Sequence, residues 1–498
     1  MKTVILSLAT LLSATVMFAQ SNTSNVTQTG EDNVADVIQV GDTNSSTTVQ
    51  EGMANTATAN QGSTLFASRN GVVEQTQIGN KNTATAQHEE DLNQIYQMQI
   101  GDGNSATATQ NLALFGGGNL ADQLQEGNGN TATISQEGIL NTAFQAQVGD
   151  ENSATALQEG IFNFSDSSQE GAFNTSSIAQ IGDFNEAQQI QVGDANLATA
   201  EQWGTNNVLI QDQQGGGNTA TSLQGSSFFD SRGGEVQQVQ IGNENDAFAN
   251  HEEDNNTILQ GQLGDANRAS AVQNLGSFGG DNFAIQIQLG NGNTAIASQN
   301  GSNNISDQFQ NGDENFADVT QSGTDNIAVQ TQSGMGNNAE AVQGGFFFTS
   351  RGGLIEQTQT GEGNDAFARH EEDNNTIIQE QTGIGNAAVA TQNLLTFGGE
   401  NVADQFQFGN GNITESVQDG ESNLVLQFQF GDENIAVSDQ LGTTNTSDIF
   451  QFGNGNFAQD IQTGVNNSTF VTQLGDLNTS TIIQAGTNNS AVVNQNGF

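Results

Sequence analysis

An 11-residue unit recurs along almost the whole chain, and this short period leaves few folds open. Its core pattern is Gln-x-Gly-x-x-Asn. Following that Gln gives 41 positions between Gln28 and Gln495, and 34 of the 40 steps between them have the same 11-residue length. Gln occupies 38 of these positions, and the other three hold His88, His251 and His370, which are all the histidines in the chain. A fixed short period indicates a repeat protein in which each unit packs on its neighbours.

Each unit divides into a seven-residue strand and a four-residue turn. Residues 152–158 read Asn-Ser-Ala-Thr-Ala-Leu-Gln, which favours a strand, and residues 159–162 contain Gly, which suits a tight turn. Because side chains alternate along a strand, positions 1, 3, 5 and 7 share the face that we expect to point inward. In this strand that face carries Asn152, Ala154, Ala156 and Gln158.

Two units form one 22-residue coil, because alternate strands carry a second Gln at position 5. These second glutamines are Gln123, Gln145, Gln189, Gln211, Gln286, Gln330, Gln405 and Gln427. We therefore predict an all-β fold: a long β-solenoid of about 20 coils with two facing parallel sheets. Interior ladders of Asn and Gln would stack at about 4.8 Å. Representative ladder and turn positions are Asn141, Gln147, Gly149, Asn152, Gln158, Asn326 and Gln332.

The composition excludes several classes of function. The chain has no Cys, which rules out disulfides, thiolate zinc sites and a Cys nucleophile. Its formal net charge is -49 with only seven Lys plus Arg, so nucleic acids and anionic membrane surfaces are poor partners. The absence of Pro is consistent with strands that all need their backbone N–H groups.

The first residues have the character of a secretory signal peptide. Lys2 is followed by an apolar run from Val4 to Phe18 and then by Ala19, after which we expect cleavage. This run is short for a membrane span, and we predict a protein that is not embedded in a membrane. The predicted organisation is a signal peptide at 1–19 and a single solenoid domain at 20–498.

The spacing Asn-x-Ala-x-x-x-Gln-x-Gly-x-x-Asn resembles the curlin repeat of curli, the extracellular amyloid fibres of bacterial biofilms. Asn141, Ala143, Gln147, Gly149 and Asn152 carry one match, and the pattern extends from about residue 22 to residue 498. The resemblance implies a secreted, non-enzymatic fibre subunit that assembles by strand templating and serves surface adhesion and biofilm matrix formation. It also implies self-association, a possible nucleator subunit and an outer-membrane secretion channel as partners.

Both ends of the repeat bear on assembly. Asn22 already occupies the first strand position, so we expect no separate targeting segment between the signal peptide and the first strand. The last strand, at 489–495, keeps the full pattern without a polar cap. Solenoids that stay monomeric need such caps, and this pattern therefore favours end-to-end assembly.

Six insertions interrupt the 11-residue period, and they form three related patches with one 16-residue and one 15-residue step each. Each 16-residue step carries an aromatic or aliphatic loop ending in Ser-Arg, at 65–69, 228–232 and 347–351. His-Glu-Glu-Asp follows at 88–91, 251–254 and 370–373, and a 15-residue step then brings a Phe-Gly-Gly turn that begins at Phe115, Phe278 or Phe397. We expect all three patches to lie on one edge of the solenoid. Their candidate residues are Arg69, His88, Glu89, Arg232, His251, Glu252, Arg351, His370 and Glu371.

Three hypotheses fit these patches. In the first, Arg69 only offsets the acidic turn of the next coil, a surface effect of about 0–1 kcal/mol. In the second, Phe, Arg and carboxylates form a repeated docking site for neighbouring fibres or a surface partner. In the third, His88, Glu89 and Asp91 bind a metal. The inward Gln position of the histidines favours a role in the ladder over metal ligation.

The acidic turns and the uniform repeat bear on calcium binding and on enzyme activity. Acidic turns such as 149–152 offer carboxylates to calcium, but their spacing matches no calcium-binding loop, and solvated charges that keep the chain soluble are the favoured interpretation. No cofactor is otherwise expected. No Ser-His-Asp arrangement or phosphate loop interrupts the repeat, so we predict no enzyme activity.

The main alternative function is that of a monomeric, capped solenoid acting as an adhesin or an ice-binding protein. Outward Thr or Ser pairs recur on the sheet that lacks the second Gln, as in β-solenoid antifreeze proteins. These pairs are Thr56/Thr58, Thr83/Thr85, Ser105/Thr107, Thr131/Thr133, Ser153/Thr155, Thr175/Ser177 and Thr219/Thr221. Later strands break the array with Asp246/Phe248, Phe316/Asp318 and Asn338/Glu340. Thr also favours exposed strands for reasons of backbone preference alone.

Overall fold

A computed structural model describes residues 21–112, 116–275, 279–345, 349–394 and 398–497. The predicted signal peptide therefore lies outside the described residues, as do Phe115, Phe278, Phe397, Phe347 and Phe348 of the insertions. The chain divides into two compact units, residues 1–144 and 145–498. Each unit consists of short parallel strands joined by turns.

The strands are six, seven or nine residues long, apart from two-residue strands at the turns. In the first unit they are Thr23–Glu31, Val34–Gln39, Gly41–Asp42, Ser45–Met53, Thr56–Gln61, Ser68–Arg69, Val72–Asn80, Thr83–His88, Gln94–Ile100, Ser105–Gln110, Leu120–Glu126 and Thr131–Ile139. The strand Thr142–Asp150 contains the boundary between the units.

In the second unit the strands are Ser153–Ile161, Phe164–Ala172, Thr175–Asp183, Glu186–Val192, Leu197–Thr205, Val208–Gln214, Thr219–Gln224, Ser231–Arg232, Glu235–Ile241, Asp246–His251, Thr257–Leu263, Arg268–Gln273, Phe283–Leu289, Thr294–Ser302, Ile305–Asp313, Phe316–Thr324, Ile327–Met335, Asn338–Gln343, Ser350–Arg351, Leu354–Glu362, Asp365–His370, Thr376–Ile384, Ala387–Gln392, Val402–Phe408, Ile413–Glu421, Leu424–Phe430, Ile435–Thr443, Thr446–Phe452, Phe457–Val465, Ser468–Leu474, Thr479–Thr487 and Ser490–Asn496. Summed over both units, the strands make up about 21 coils.

Consecutive long strands lie in opposite sheets. Each strand pairs in parallel with the equivalent strand of the next coil, two 11-residue repeats further along the chain. In the second unit, Ser153 pairs with Thr175 and Thr175 with Leu197, so each step of the register equals one 22-residue coil. Where an insertion intervenes the step is longer, as between Val208 and Glu235 or between Thr257 and Phe283. Each insertion is therefore accommodated at the turn, and equivalent strand positions of successive coils stay in register. The predicted two-sheet solenoid with 22-residue coils is confirmed.

Both sheets bury Asn and Gln at the ends of the strand, and they differ at position 5, which is small or apolar on one sheet and usually Gln on the other. In the second unit, Ala198 and Ala200 are at most 1% exposed, and the neighbouring strand of the opposite sheet brings Leu209 and Gln211 inward. Small Ala side chains let the two sheets approach closely. The strand alternation predicted from the sequence therefore sets which residues are buried.

The Gly of the turn is fixed by the next coil. Gly149 has a φ of 119°, and a Cβ built on it would lie 2.0 Å from the carbonyl oxygen of Gly171. The turn therefore stacks backbone on backbone, and any larger residue would push adjacent coils apart. This contact explains why Gly follows the Gln slot in nearly every turn. Within the described parts of the chain, no helix is long and apolar enough to span a bilayer.

Candidate functional site

The interior Gln ladder runs in one direction. Gln158 donates from Nε2 to Oε1 of Gln180 in the following coil at 2.8 Å, and Gln180 donates to Gln202 at 2.8 Å. The predicted ladder residues Gln147 and Gln332 donate in the same sense, to the Gln one coil later, at 2.8 and 2.9 Å. Many of these Nε2 atoms also reach a backbone carbonyl of the opposite sheet, as Gln180 does at Phe164. The ladder therefore cross-links coils along the axis and sheets across the core.

The Asn ladder ties the start of each strand to the turn of the next coil. Asn152 accepts at Oδ1 from the backbone N–H of Asn174 at 3.0 Å and donates from Nδ2 to the carbonyl of Gly171 at 2.8 Å. Asn326 donates to Oδ1 of Asn304 at 3.1 Å. In the first unit, the backbone N–H of Asn141 donates to Oδ1 of Asn119 at 2.9 Å. The predicted interior Asn and Gln ladders are confirmed, and these bonds compensate the burial of the amides.

The terminal described coils lack the burial of the interior ones. All nine residues of the strand Thr23–Glu31 are exposed, and this strand pairs on one side with Ser45–Met53. At the other end, the strand Ser490–Asn496 alternates between exposed and half-buried residues and pairs on one side with Ser468–Leu474. Both strands present backbone groups that interior strands use for pairing.

The three patches share an interlocked Ser, Gly and His that the sequence analysis did not foresee. In the first unit, Ser68 replaces the turn Gly, and its Oγ donates to Oδ1 of Asn44 at 3.0 Å and lies 3.3 Å from Nδ1 of His88. Gly71 replaces the Asn that normally begins the strand. A Cβ on Gly71 would lie 2.2 Å from Cε1 of His88, so the imidazole fills the space of the missing Asn side chain.

The second unit repeats this arrangement twice. The Oγ atoms of Ser231 and Ser350 lie 3.3 Å from Nδ1 of His251 and His370, respectively. A Cβ on either facing glycine would lie 2.0 Å from the Cε1 atom of the histidine. These glycines are Gly234 and Gly353. The histidines therefore lie in the interior, as expected from their slot, and pack against Gly. Nε2 of His370 still lies 3.2 Å from Nε2 of the ladder residue Gln343, whereas Nε2 of His251 has no partner in the described residues.

Burial lowers the pKa of the three histidines, to about 4 for His88 and about 3 for His251 and His370. The rings are therefore neutral at ordinary pH. The folded-state pKa lies below the ordinary value of 6.5, so their contribution to stability is complete above about pH 6.5 and is lost as the pH falls toward the folded-state pKa.

We predict that replacing His251 and His370 with Gln makes the second unit more resistant to acid. Between pH 7 and pH 4 the wild type should lose about 3 kcal/mol per histidine relative to the double variant. Urea unfolding at a series of pH values measures this difference, since carboxylates common to both proteins cancel. A double variant with the pH profile of the wild type would contradict the prediction.

The charged residues of the patches lie at the edge, away from the histidine rings. Arg232 lies 4.0 Å from Asp254 and Arg351 lies 3.9 Å from Asp325, with the Arg side chains 72% exposed in both pairs. In the first unit, the backbone N–H of Arg69 donates to Oδ1 of Asp91 at 2.9 Å. Such exposed pairs contribute about 0–1 kcal/mol.

The carboxylates beside the histidines are buried in the second unit and half-buried in the first. Glu252 and Glu371 are 6% and 7% exposed, and Glu371 accepts from Nη2 of Arg369 at 2.8 Å. Glu89 of the first unit is half-buried. The loop residue Phe228 is 89% exposed. The docking role of the patches stays a prediction.

The metal hypothesis does not match the geometry. His88 points into the core, whereas Glu89 and Asp91 belong to the edge turn. In the described residues, no group of three or more His, Asp and Glu side chains has the arrangement of a metal site.

Turn carboxylates alternate with amides, which bears on the calcium hypothesis. In the second unit, Asn243 donates from Nδ2 to Asp265 at 3.0 Å, and the backbone N–H of Asp265 donates to Oδ1 of Asn291 at 2.9 Å. Asn410, Asp432 and Asn454 repeat the pattern. Carboxylates in this ladder are thus two coils, about 9.6 Å, apart. The close carboxylate stacking on which the calcium hypothesis depends does not occur in these segments.

The outward Thr and Ser residues do form rows. In the first unit, Thr56, Thr83 and Ser105 are register partners, and a parallel row contains Thr58 and Thr85. In the second unit Leu197 interrupts one row between Thr175 and Thr219, and both rows end where Thr219 and Thr221 meet Asp246 and Phe248. The regular array is therefore confined to part of each unit.

Comparison with protein families identifies the repeat in two places. The model described as Curlin associated repeat matches residues 312–345 and 464–497, both in the second unit. A search of curated proteins found no match. The chain therefore contains curlin-associated repeats. The curlin-associated repeat and the β-solenoid fold are both of a structural kind.

Proposed function

We propose that this chain is a secreted structural subunit of curli-like extracellular fibres that grow by strand templating. The observation that carries the proposal is the polarity of the interior ladder. Gln28 and Gln39 donate forward to the second coil, and no described side chain donates to their Oε1 atoms. Gln484 and Gln495 receive bonds from the preceding coil, at 3.2 and 2.8 Å, and their Nε2 atoms have no following Gln in the described residues.

The two terminal coils are therefore complementary. One offers Gln Oε1 acceptors, and the other offers Gln Nε2 donors in the same slots and the same register. A second chain added head to tail would continue both ladders and pair both edge strands. A one-residue slip would place charged residues inside, so the register of addition is defined. The chain's high negative charge keeps separate chains apart until this pairing compensates for the repulsion.

The family resemblance extends the proposal to partners and location. We infer that the fibre is displayed at the cell surface, where it serves adhesion and the biofilm matrix. The partners we propose are further copies of the chain, a nucleator subunit and an outer-membrane secretion channel.

Blocking one end of the chain tests head-to-tail growth. Val493 points inward in the strand Ser490–Asn496, whereas its neighbour Val492 is 64% exposed on the outer face. We expect Val493→Lys to form no fibres by itself, because an inward Lys prevents another chain from stacking on this end. The variant should still add to wild-type seeds through its intact end and thereby cap one end of the seed. Val492→Lys is the matched control and should elongate seeds normally. Thioflavin T fluorescence and electron microscopy measure both outcomes.

The opposite end offers a complementary variant. Val26 occupies the inward position 5 of the strand Thr23–Glu31, and Val26→Lys should block addition at that end only. A mixture of Val26→Lys and Val493→Lys should stop at a pair of chains, since one intact end remains on each. Fibres from either single variant, or wild-type chains that stay soluble and monomeric with seeds present, would contradict the proposal. The second result would favour a monomeric adhesin or an ice-binding protein.

A further inference from the structure

The interior of the second unit contains one carboxyl group in a slot that elsewhere holds small or apolar residues. Asp460 lies at inward position 5 of the strand Phe457–Val465 and is 0% exposed. Its register partners in the same sheet are Ser438 in the preceding coil and Ile482 in the following coil. Among the described residues, it is the only aspartate that is fully buried.

The hydrogen bonding of Asp460 is incomplete. The hydroxyl of Thr469 donates to Oδ2, and the nearby hydroxyl of Ser447, which lies 3.0 Å from Oγ of Ser438, also favours the ionised carboxyl. Oδ1 is buried and has no hydrogen-bond partner in the described residues. If Asp460 were ionised, a full negative charge would be buried and one of the two carboxylate oxygens would lack a hydrogen bond. Both are unfavourable in a low-dielectric interior.

No cation compensates this charge. The last Lys or Arg in the sequence is Arg369, so the final coils contain none. The strands packed against Asp460 are Ile435–Thr443, Thr446–Phe452, Ser468–Leu474 and Thr479–Thr487. Their charged residues are Asp439 and Asp448, both at outward positions. The surroundings therefore favour the neutral acid.

Burial raises the pKa of Asp460 to about 6, although the hydroxyls of Thr469 and Ser447 oppose the shift. The folded-state pKa lies above the ordinary value of 3.8. The contribution of this group to stability is therefore complete below about pH 4 and is lost as the pH rises through 6. This is the opposite sign to the histidines of the patches.

We propose that Asp460 is a proton-controlled latch on residues 457–497: these coils close when its carboxyl is protonated and open locally when it is ionised. The coils beyond it depend on the same packing, because Ile482 stacks on Asp460 and Val493 packs against the same interior cluster. The consequence for growth rests on the proposed function, because these coils form the end to which a further chain would add.

Hydrogen exchange of the full mature chain in its soluble form tests the latch. After correction for intrinsic exchange rates, amides in 457–497 should open on the order of a hundred-fold more often at pH 7.5 than at pH 4, as a shift of about two pKa units implies. The variant Asp460→Asn keeps the shape of the side chain without the charge. It should remove this pH dependence and leave exchange in 283–343 unchanged.

Two further variants exclude simpler explanations. Asp476→Asn removes a charge from the turn of the same coils, where Asn454 donates to Asp476 at the surface, and it should keep the wild-type pH dependence. Asp460→Ser introduces the residue that occupies the same slot in the two preceding coils, Ser416 and Ser438, and should behave like Asp460→Asn. Equal pH dependence in the wild type and both Asp460 variants would overturn the proposal.

Seeded growth separates the latch from the fibre proposal. If the chain forms fibres, elongation of wild-type seeds by wild-type chains should be faster at pH 5 than at pH 7.5, and this ratio of rates should be smaller for Asp460→Asn. If the chain forms no fibres, the exchange experiment still reports on the latch. A pH effect on exchange without fibre growth would therefore reject the proposed function and retain the latch.

Discussion

The variant Gly234→Asn is expected to lose about 3 kcal/mol of stability in the coils around it, and Gly234→Asn with His251→Gln is expected to recover most of that loss. Asn is the usual residue at this slot, so the repeat pattern alone would predict that the substitution is tolerated. Here a Cβ would lie 2.0 Å from Cε1 and 2.6 Å from Nε2 of His251, and 2.7 Å from Oγ of Ser231. Overpacking of this kind costs about 1–3 kcal/mol, and the side chain of His251 is fully buried.

The compensating change follows from the same contact. Gln at position 251 would remove the imidazole from above Gly234 and would return an amide to the ladder slot between Gln224 and Gln273. Oε1 of Gln273 currently has no partner in the described residues. His251→Gln alone should therefore change stability little near pH 7, because a new ladder bond offsets the space left above Gly234.

A double-mutant cycle measures this coupling directly. Trp203 is the only Trp in the chain, and the adjacent Gly204 pairs with Ser231. Its fluorescence during urea unfolding therefore reports on the coils concerned. We expect a coupling energy of about 2 kcal/mol or more between positions 234 and 251.

Gly216→Asn is the matched control for the cycle. Its Cβ would lie 3.4 Å from its nearest neighbour, Oδ1 of Asn243, and Asn occupies the same turn position one coil later. This substitution should have little effect. If the effects of the substitutions at 234 and 251 on the free energy of unfolding were additive, the histidine and the glycine would not be interlocked. The patches would then have no specific packing in the interior.

The sequence predicted the fold in detail because two independent periods agree. Alternation along the strand assigns the inward face, and the 22-residue period places like residues in register, so the ladder partners of Gln158 or Asn152 follow directly. The terminal coils also follow from this pattern. Stacking in register also gives most buried amides a hydrogen-bond partner in the next coil.

The patches were harder to predict because their residues compensate one another across adjacent coils. Taken singly, His251 suggests a substitute for Gln, and Gly234 suggests a loop residue. The contact depends on the distance between the imidazole and the facing glycine, which the sequence period does not predict. One signal was present: Gly71, Gly234 and Gly353 all replace Asn at the same distance before a ladder Gln. The alternation of amides and carboxylates along one turn edge was visible in the sequence as well.

Asp460 was missed for a different reason. Strand alternation assigns it to an inward position, whereas most carboxylates of the chain lie in the acidic turns. Its significance depends on burial and on the absence of a nearby cation, and both emerge only when the coils around it are assembled.

A single amide in the ladder can be tested by an isosteric change, and we expect Gln310→Glu to destabilise the second unit by about 4 kcal/mol at pH 7. Gln310 accepts from Nε2 of Gln288 at 2.9 Å and donates to Oε1 of Gln332 at 2.9 Å and to the carbonyl of Thr294 at 2.9 Å. A carboxylate keeps the first bond but faces two acceptors in place of the others. Full burial raises the pKa of a carboxyl by several units, which sets the size of the effect.

The pH dependence of this variant distinguishes charge from shape. Below its raised pKa the new carboxyl is protonated and can donate to one of the two acceptors, so stability should be partly recovered as the pH falls from 7 to 5. Urea unfolding at both pH values measures this recovery. Gln237→Glu introduces the same charge at an exposed position of the same sheet and should change stability by less than about 0.5 kcal/mol. If Gln310→Glu lost no more stability than this control, the ladder would stabilise the fold through packing and not through hydrogen bonds. The donor and acceptor ends of the ladder would then give no reason for head-to-tail addition.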